Sequence, residues 1–262
     1  MSFTGKSLKD VYKDVLQTDN SNSGLSTTIK QIKCGDGDST ALYLSTQNVK
    51  IQPASDSTTN TVINDKDGNA LVAVDSTNDL VKAGIGQHTV NTQYAQFNIG
   101  GGNMVWAGSS AGTHYAVPFQ GMLPQALVSG GTGTDPATSF TITTTASSMV
   151  SCYWYIMDNI TIDRVVWWSG GDAATGETTR AHLMSYTVDS GNSATSGDLS
   201  SGAVVAYSSD VTNAGYEQAY YNQMTISTAD VNAGKVLMFF FRADSTVNSD
   251  YTINATVKYH LR

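Results

Sequence analysis

Apolar side chains recur along the chain with two different periods. Leu8, Val11, Tyr12, Val15 and Leu16 fall at i, i+3, i+4, i+7 and i+8, which places them on one face of a helix. Ser7 is the candidate N-cap, with Asp10 as its capping-box partner. The polar string Asp19-Asn20-Ser21-Asn22-Ser23-Gly24 stops the pattern. An isolated helix this short is marginal in water, because nucleation costs more than a few hydrogen bonds return. The pattern therefore predicts a short N-terminal helix within residues 1–24 whose apolar face docks on something else.

From residue 25 the period changes to two. TALYLS (40–45) and NVKIQ (48–52) read as one hairpin. VIN (62–64) and ALVAVD (70–75) read as another, closed around Asp67-Gly68, a pair suited to a tight turn. The tripeptide Asp-Ser-Thr recurs at 38–40, 56–58 and 75–77, and again at 244–246, which hints at a repeated strand–turn unit. Each strand is short and carries few large apolar side chains, so one copy buries little core. Several chains side by side would bury more. NIGGGN (98–103) and AGSSAGT (107–113) form a Gly-rich joint. A repetitive, β-rich stalk is expected over 25–116.

Residues 117–262 hold most of the aromatic side chains, which places the main core there. The pattern predicts strands at 137–143, 148–157, 160–168, 179–188, 202–208, 219–227, 235–243 and 250–261, joined by Gly, Ser and Asn turns. Eight such strands point to an antiparallel β-sandwich of jelly-roll type. In the last strand Tyr251, Ile253, Ala255, Val257, Tyr259 and Leu261 alternate with polar residues, which gives one buried and one wet face. VLMFFF (236–241) is apolar throughout, the mark of a strand buried on both sides. A two-layer sandwich covers one face of each sheet, so a second cover is required. Another subunit is the most direct source, and a helix or loop of the same chain is the alternative.

Composition agrees with a mainly β chain. Only 14% of residues are charged, against about 25% in an average soluble domain. Ser, Thr, Asn, Gln and Gly carry solubility instead, and only two Glu occur, Glu177 and Glu217. The net charge of −8, with no basic stripe, argues against nucleic acid as a partner. Cys34 and Cys152 read as two free thiols. No secretory signal opens the chain, and no run approaches the roughly 20 apolar residues of a membrane span. Assembly inside a bacterium and release by lysis, with no membrane insertion, is the matching expectation.

Candidate chemistry is sparse. Asp65-Lys66-Asp67-Gly68-Asn69 starts like a calcium loop but lacks the required Gly and Glu further on, and reads as a hairpin turn. His88, His114, His182 and His260 are scattered without metal-ligand spacing. His114 would meet its copies only if it lay on a trimer axis. Glu177 and Glu217 are the candidate glycosidase pair, and sequence cannot place them together. No nucleophile elbow, P-loop or dinucleotide fingerprint is present. No enzymatic activity, cofactor or metal is expected. The aromatics beside Gly-rich turns, Trp167, Trp168, Tyr216 and Tyr220, are the candidate receptor or interface residues.

The segments YKDVLQTDNSNSG (12–24), STALYLSTQNVKI (39–51), GNALVAVDSTNDLVKAG (68–84) and GQHTVNTQYAQF (86–97) resemble, in order, the N-terminal portion of fibre-like virion proteins of tailed bacteriophages, particularly short-tailed marine phages. The resemblance covers somewhat over a third of the chain. It implies an N-terminal segment docked on another virion protein, a trimeric β stalk and a distal β-sandwich head. The expectation is thus a homotrimeric virion fibre or spike that attaches to a host surface glycan or protein. A capsid decoration, head-fibre or head–tail structural protein without a receptor role is the alternative.

Overall fold

The computed structural model describes residues 12, 15–18, 23–84, 86, 88–99, 112–122, 127–142, 146–172, 175–215, 217–244 and 250–262. The chain divides into two compact units, 1–90 and 91–262. The first is built from β1 (Gln17–Thr18), β2 (Lys30–Lys33), β3 (Ser39–Leu44), β4 (Val49–Ile51), β5 (Thr61–Asn64), β6 (Ala70–Asp75), β7 (Leu80–Ala83) and β8 (His88–Thr89). These form two antiparallel meanders, β1-β2-β3-β4 and β5-β6-β7-β8.

Both expected hairpins are present. Leu42 pairs with Ile51 and Leu44 with Val49 in the first, and Val62 with Ala73 and Ile63 with Val72 in the second. The Asp65–Asn69 segment closes the second as a hairpin turn. Asp65 Oδ1 accepts hydrogen bonds from the backbone N–H groups of Asp67 and Asn69, both at 2.9 Å. Gly68 adopts φ +87°, which a side chain would resist. The Asp-Ser-Thr copies take different places, opening β3 at 38–40, preceding β5 at 56–58 and closing β6 at 75–77. They do not mark one repeated unit.

The expected N-terminal helix is not met where the chain is described. Val15 and Leu16 precede β1, whose Gln17 and Thr18 pair with Lys33 and Ile32. Pairing with β2 satisfies backbone groups that a short isolated helix would hold only marginally. Tyr12 and Leu16 are exposed, while Leu8 and Val11 lie outside the described residues.

Among its described residues the first unit buries only two apolar side chains, Ile32 and Ala73. Its other buried side chain is Asp75, which pairs with Lys82 Nζ at 2.8 Å and accepts hydrogen bonds from Asn78. Lys82, then Asn78, hold that carboxyl down at a pKa of about 2. Leu42, Leu44, Val49 and Ile51 share one face of the first meander, since directly opposed residues point the same way. Val49 is 70% exposed.

The second unit holds β9 (Thr92–Ile99), β10 (His114–Val117), β11 (Trp154–Tyr155), β12 (Ile160–Asp172), β13 (Thr178–Val188), β14 (Leu199–Tyr207), β15 (Val211–Thr212), β16 (Glu217–Gln223), β17 (Thr225–Ile226), β18 (Asp230–Val231), β19 (Lys235–Ala243) and β20 (Asp250–Leu261). One sheet runs β16-β12-β20-β9, and the other runs β10-β19-β13-β14-β17. The expected boundary at 116/117 therefore falls too late. Residues 92–99 belong to the larger unit, because they pair along β20 from Thr92–His260 to Ile99–Ile253.

The two sheets pack face to face. Phe97, Trp167 and Tyr251 from one meet Phe239 and Phe241 from the other, with ring centroids 5.0 to 5.9 Å apart. The expected strands at 137–143 and 148–157 are mostly absent as strands. Phe140 makes one isolated bridge to Leu199, and Ala146–Met149 and Val150–Cys152 are short helical turns. Residues 127–142 and 146–153 instead lie over the outer face of the β19 sheet. Val128, Ile142, Met149 and Cys152 pack there against Met184, Tyr186, Met238 and Phe240. The second cover over VLMFFF is thus the chain itself, which removes that strand as an argument for a partner subunit. At Gly130 a Cβ would stand 2.7 Å from the Phe240 ring, so this covering loop needs a glycine where it presses on the sheet.

Phe240→Ala should therefore destabilise the second unit by about 3–5 kcal/mol in urea unfolding, the usual cost of emptying a buried aromatic site. A loss below ~1 kcal/mol would mean that residues 127–142 and 146–153 do not bear on β19.

Candidate functional site

The sheet β16-β12-β20-β9 turns its other face to solvent, and the adjacent tryptophans of β12 split between its two sides. Trp167 is fully buried against Phe241. Trp168 is 49% exposed and lies against Tyr221, itself 47% exposed, with ring centroids 5.3 Å apart. Arg164 Nη2 donates a 2.7 Å hydrogen bond to the Tyr221 hydroxyl and fixes that ring. Cross-strand pairing sets Trp168 between Tyr221 and Asn254, Val166 between Gln223 and Thr256, and Arg164 beside Lys258. Lys258 in turn faces Tyr94, which is also exposed. The outer face is therefore a platform of aromatic, amide and cationic side chains.

Of the three candidate aromatics among the described residues, Trp168 alone stands on this platform. Trp167 belongs to the core. Tyr220 is partly buried, and its hydroxyl donates to Gln218 Oε1 and accepts from the Ala214 N–H. Tyr216 lies outside the described residues. Sequence alone does not single out Tyr221, Arg164, Lys258 and Tyr94, because their grouping depends on register between strands far apart in the chain.

A second cluster sits at one end of the β19 sheet. His114 on β10, His182 and Arg180 on β13 and Arg242 on β19 occupy neighbouring register positions. His114 and His182 are buried with ring centroids 5.0 Å apart. His182 Nε2 lies 3.3 Å from Asp135 Oδ1, and His114 Nε2 lies 3.1 Å from the Gly133 carbonyl oxygen. Both Nδ1 atoms are buried without a hydrogen-bond partner. Arg180 Nε pairs with Asp210 at 2.6 Å. Beside them opens a pocket of about 410 Å³ lined by Asp135, Arg180, His182, Tyr207, Ser208 and Ser227 among others.

Burial, and then the neighbouring His114, push His182 well below the ordinary imidazole range, to about 4. Burial also lowers His114. Both rings are therefore neutral near pH 7. Among the described residues no hydroxyl or thiol is hydrogen-bonded to either ring, and no cluster of metal-ligating groups is present. The arrangement offers hydrogen-bonding groups to a small polar molecule and lacks a nucleophile–base pair.

The two glutamates occupy unlike settings. Glu177 is buried and accepts a hydrogen bond from the Tyr251 hydroxyl, which also accepts from Asn213 Nδ2 at 2.9 Å. Burial, and then Glu177, raise the Tyr251 pKa. Glu217 is exposed on β16. No protein-family model matches the chain, and a search of curated proteins returns no match.

The neutral histidine makes a pH prediction. The unfolded chain takes up a proton at His182 near the ordinary pKa of about 6.5, whereas the folded chain resists until about pH 4. Stability from this burial is complete above that window and is lost as pH falls through it. His182→Gln should flatten the pH dependence of the urea midpoint within the window. An unchanged slope would assign the dependence to other groups.

Proposed function

We propose that the chain is a homotrimeric virion fibre or spike without enzymatic activity, fixed to the particle by its N-terminal segment and projecting a sandwich head for host attachment. The observation that carries this reading is the uncovered apolar surface of the first unit. Besides Leu42, Leu44, Val49 and Ile51 on one meander, Ile63, Val72, Val74, Val81 and Ala83 share a face of the other. Val49, Ile51, Ile63 and Val81 are exposed in the single chain. Burying each fully contributes about 1.5–3 kcal/mol. Three copies closing these faces against one another would supply the core that one copy lacks.

The order of the second unit's strands supports a jelly-roll head. Among its eight main strands, counted along the chain, the first, eighth, third and sixth are neighbours in one sheet. The second, seventh, fourth and fifth are neighbours in the other. Two Greek keys rolled together give this order, a design common to viral capsid and lectin domains. The resemblance of residues 1–97 to phage fibre proteins points the same way.

Light scattering on the full-length protein tests the assembly. A mass near three times 27.8 kDa is expected, and Ile63→Asp with Val49→Asp should reduce it to a single chain while the head stays folded. A wild-type monomer would sink the fibre reading. The anchor is tested separately: Leu8→Asp with Val15→Asp should lower incorporation into virions at least tenfold, and normal incorporation would place the anchor elsewhere.

A further inference from the structure

We propose that the outer face of the β16-β12-β20-β9 sheet binds an acidic polysaccharide, with sugar rings stacked on Trp168 and Tyr221 and carboxylates held by Arg164 and Lys258. The inference deepens the attachment role proposed for the head and rests on that reading.

The cations give the first argument. Arg164 and Lys258 are directly opposed on adjacent strands. Like charges in that position destabilise a sheet. Neither makes an ion pair with a carboxylate among the described residues. In a chain of net charge −8, two cations left side by side on one face gain from an anion that lies between them. A polysaccharide carboxylate supplies that charge on a strand long enough to reach the aromatics as well.

The aromatics give the second. Trp168 and Tyr221 are both half-exposed, yet their rings are set against each other, and Arg164 locks the Tyr221 hydroxyl. Rings ordered before binding lose little entropy when a ligand arrives. On β20, Asn254 stands level with them and Thr256 two residues along on the same face, and both are suited to hydroxyl groups. Phosphate polymers are disfavoured, because two cations are too few to hold a nucleic-acid backbone on an acidic protein.

The test is calorimetric titration of the full-length protein with hexamers of galacturonate, mannuronate and guluronate, and with neutral cellohexaose. The expected result is saturable binding to at least one acidic hexamer that weakens as salt screens the charges. Trp168→Ala and Lys258→Gln should each weaken it tenfold or more with no change in assembly mass. Absence of binding to all three acids, equal binding to cellohexaose, or full binding by both variants would overturn the proposal. A fall in assembly mass with Trp168→Ala would also overturn it, by making this face a subunit interface. A trimer that binds no acidic hexamer ends this inference alone, whereas a monomer that binds one ends the fibre reading alone.

Discussion

A strand that is apolar on both faces imposes the architecture of the second unit. Lys235–Ala243 cannot sit at the surface of a two-layer sandwich, because Val236, Met238 and Phe240 would then face water. Leu237, Phe239 and Phe241 already fill the space between the sheets. The chain resolves this by laying residues 127–142 and 146–153 over the outer face, tied down where the Tyr153 hydroxyl donates to the Gly197 carbonyl and the Tyr186 hydroxyl to that of Ala137. The domain has three layers over much of its area, and its central strand needs no neighbouring molecule. The buried histidines at the end of the same sheet follow from this cover, since it shields from water residues that edge positions would leave wet.

The first unit shows the opposite balance. Its strands pair correctly and its turns are well made, yet among the described residues no layer of the same unit closes over Val49, Ile51, Ile63 or Val81. Its buried Asp75 is satisfied by Lys82 and Asn78, which makes a polar keystone where a larger domain would place a Leu or Phe. Hydrogen bonding and pairing fix its geometry, while apolar side chains such as Val49 and Ile63 stay exposed in the single chain. On the reading proposed above, the two units would divide the requirements of a fibre between them. One completes its own core and offers a polar, aromatic face; the other would offer its apolar surface to copies of itself.

What could be read from sequence follows the range of the interactions involved. The hairpins at 40–52 and 61–75 were legible because their turns, Asp67-Gly68 above all, are local. Lys235–Ala243 was legible as a doubly buried strand because six apolar residues in a row permit no wet face. Residues 92–99 read as stalk because their partner strand, β20, lies at the far end of the chain. The apolar runs at 137–143 and 148–157 read as strands because composition does not distinguish a strand from a segment pressed onto one. For the candidate surface, Trp168 was legible as an aromatic beside glycines. Tyr221 and Lys258 were not, since only register sets them beside it.

One bulge decides which tryptophan reaches that surface. In the first part of β12, Ile160 and Ile162 point into the core opposite Leu261 and Tyr259. After the register shift at Asp163 the inward positions become Val165 and Trp167, one residue later than strict alternation allows. If the same residues alternated regularly through Asp163, with no bulge, then Arg164, Val166 and Trp168 would point inward, which would bury a guanidinium in the core at large cost. The bulge is held by Asp163 itself, whose carboxylate lies 2.9 Å from Nδ1 of the largely buried His260 on the neighbouring strand. A β-bulge is a means of re-aiming side chains near functional surfaces. Here it keeps Trp167 against Phe241 and sends Arg164 and Trp168 out to Tyr221, so a single acidic residue and its histidine partner set both the core packing and the exposed platform.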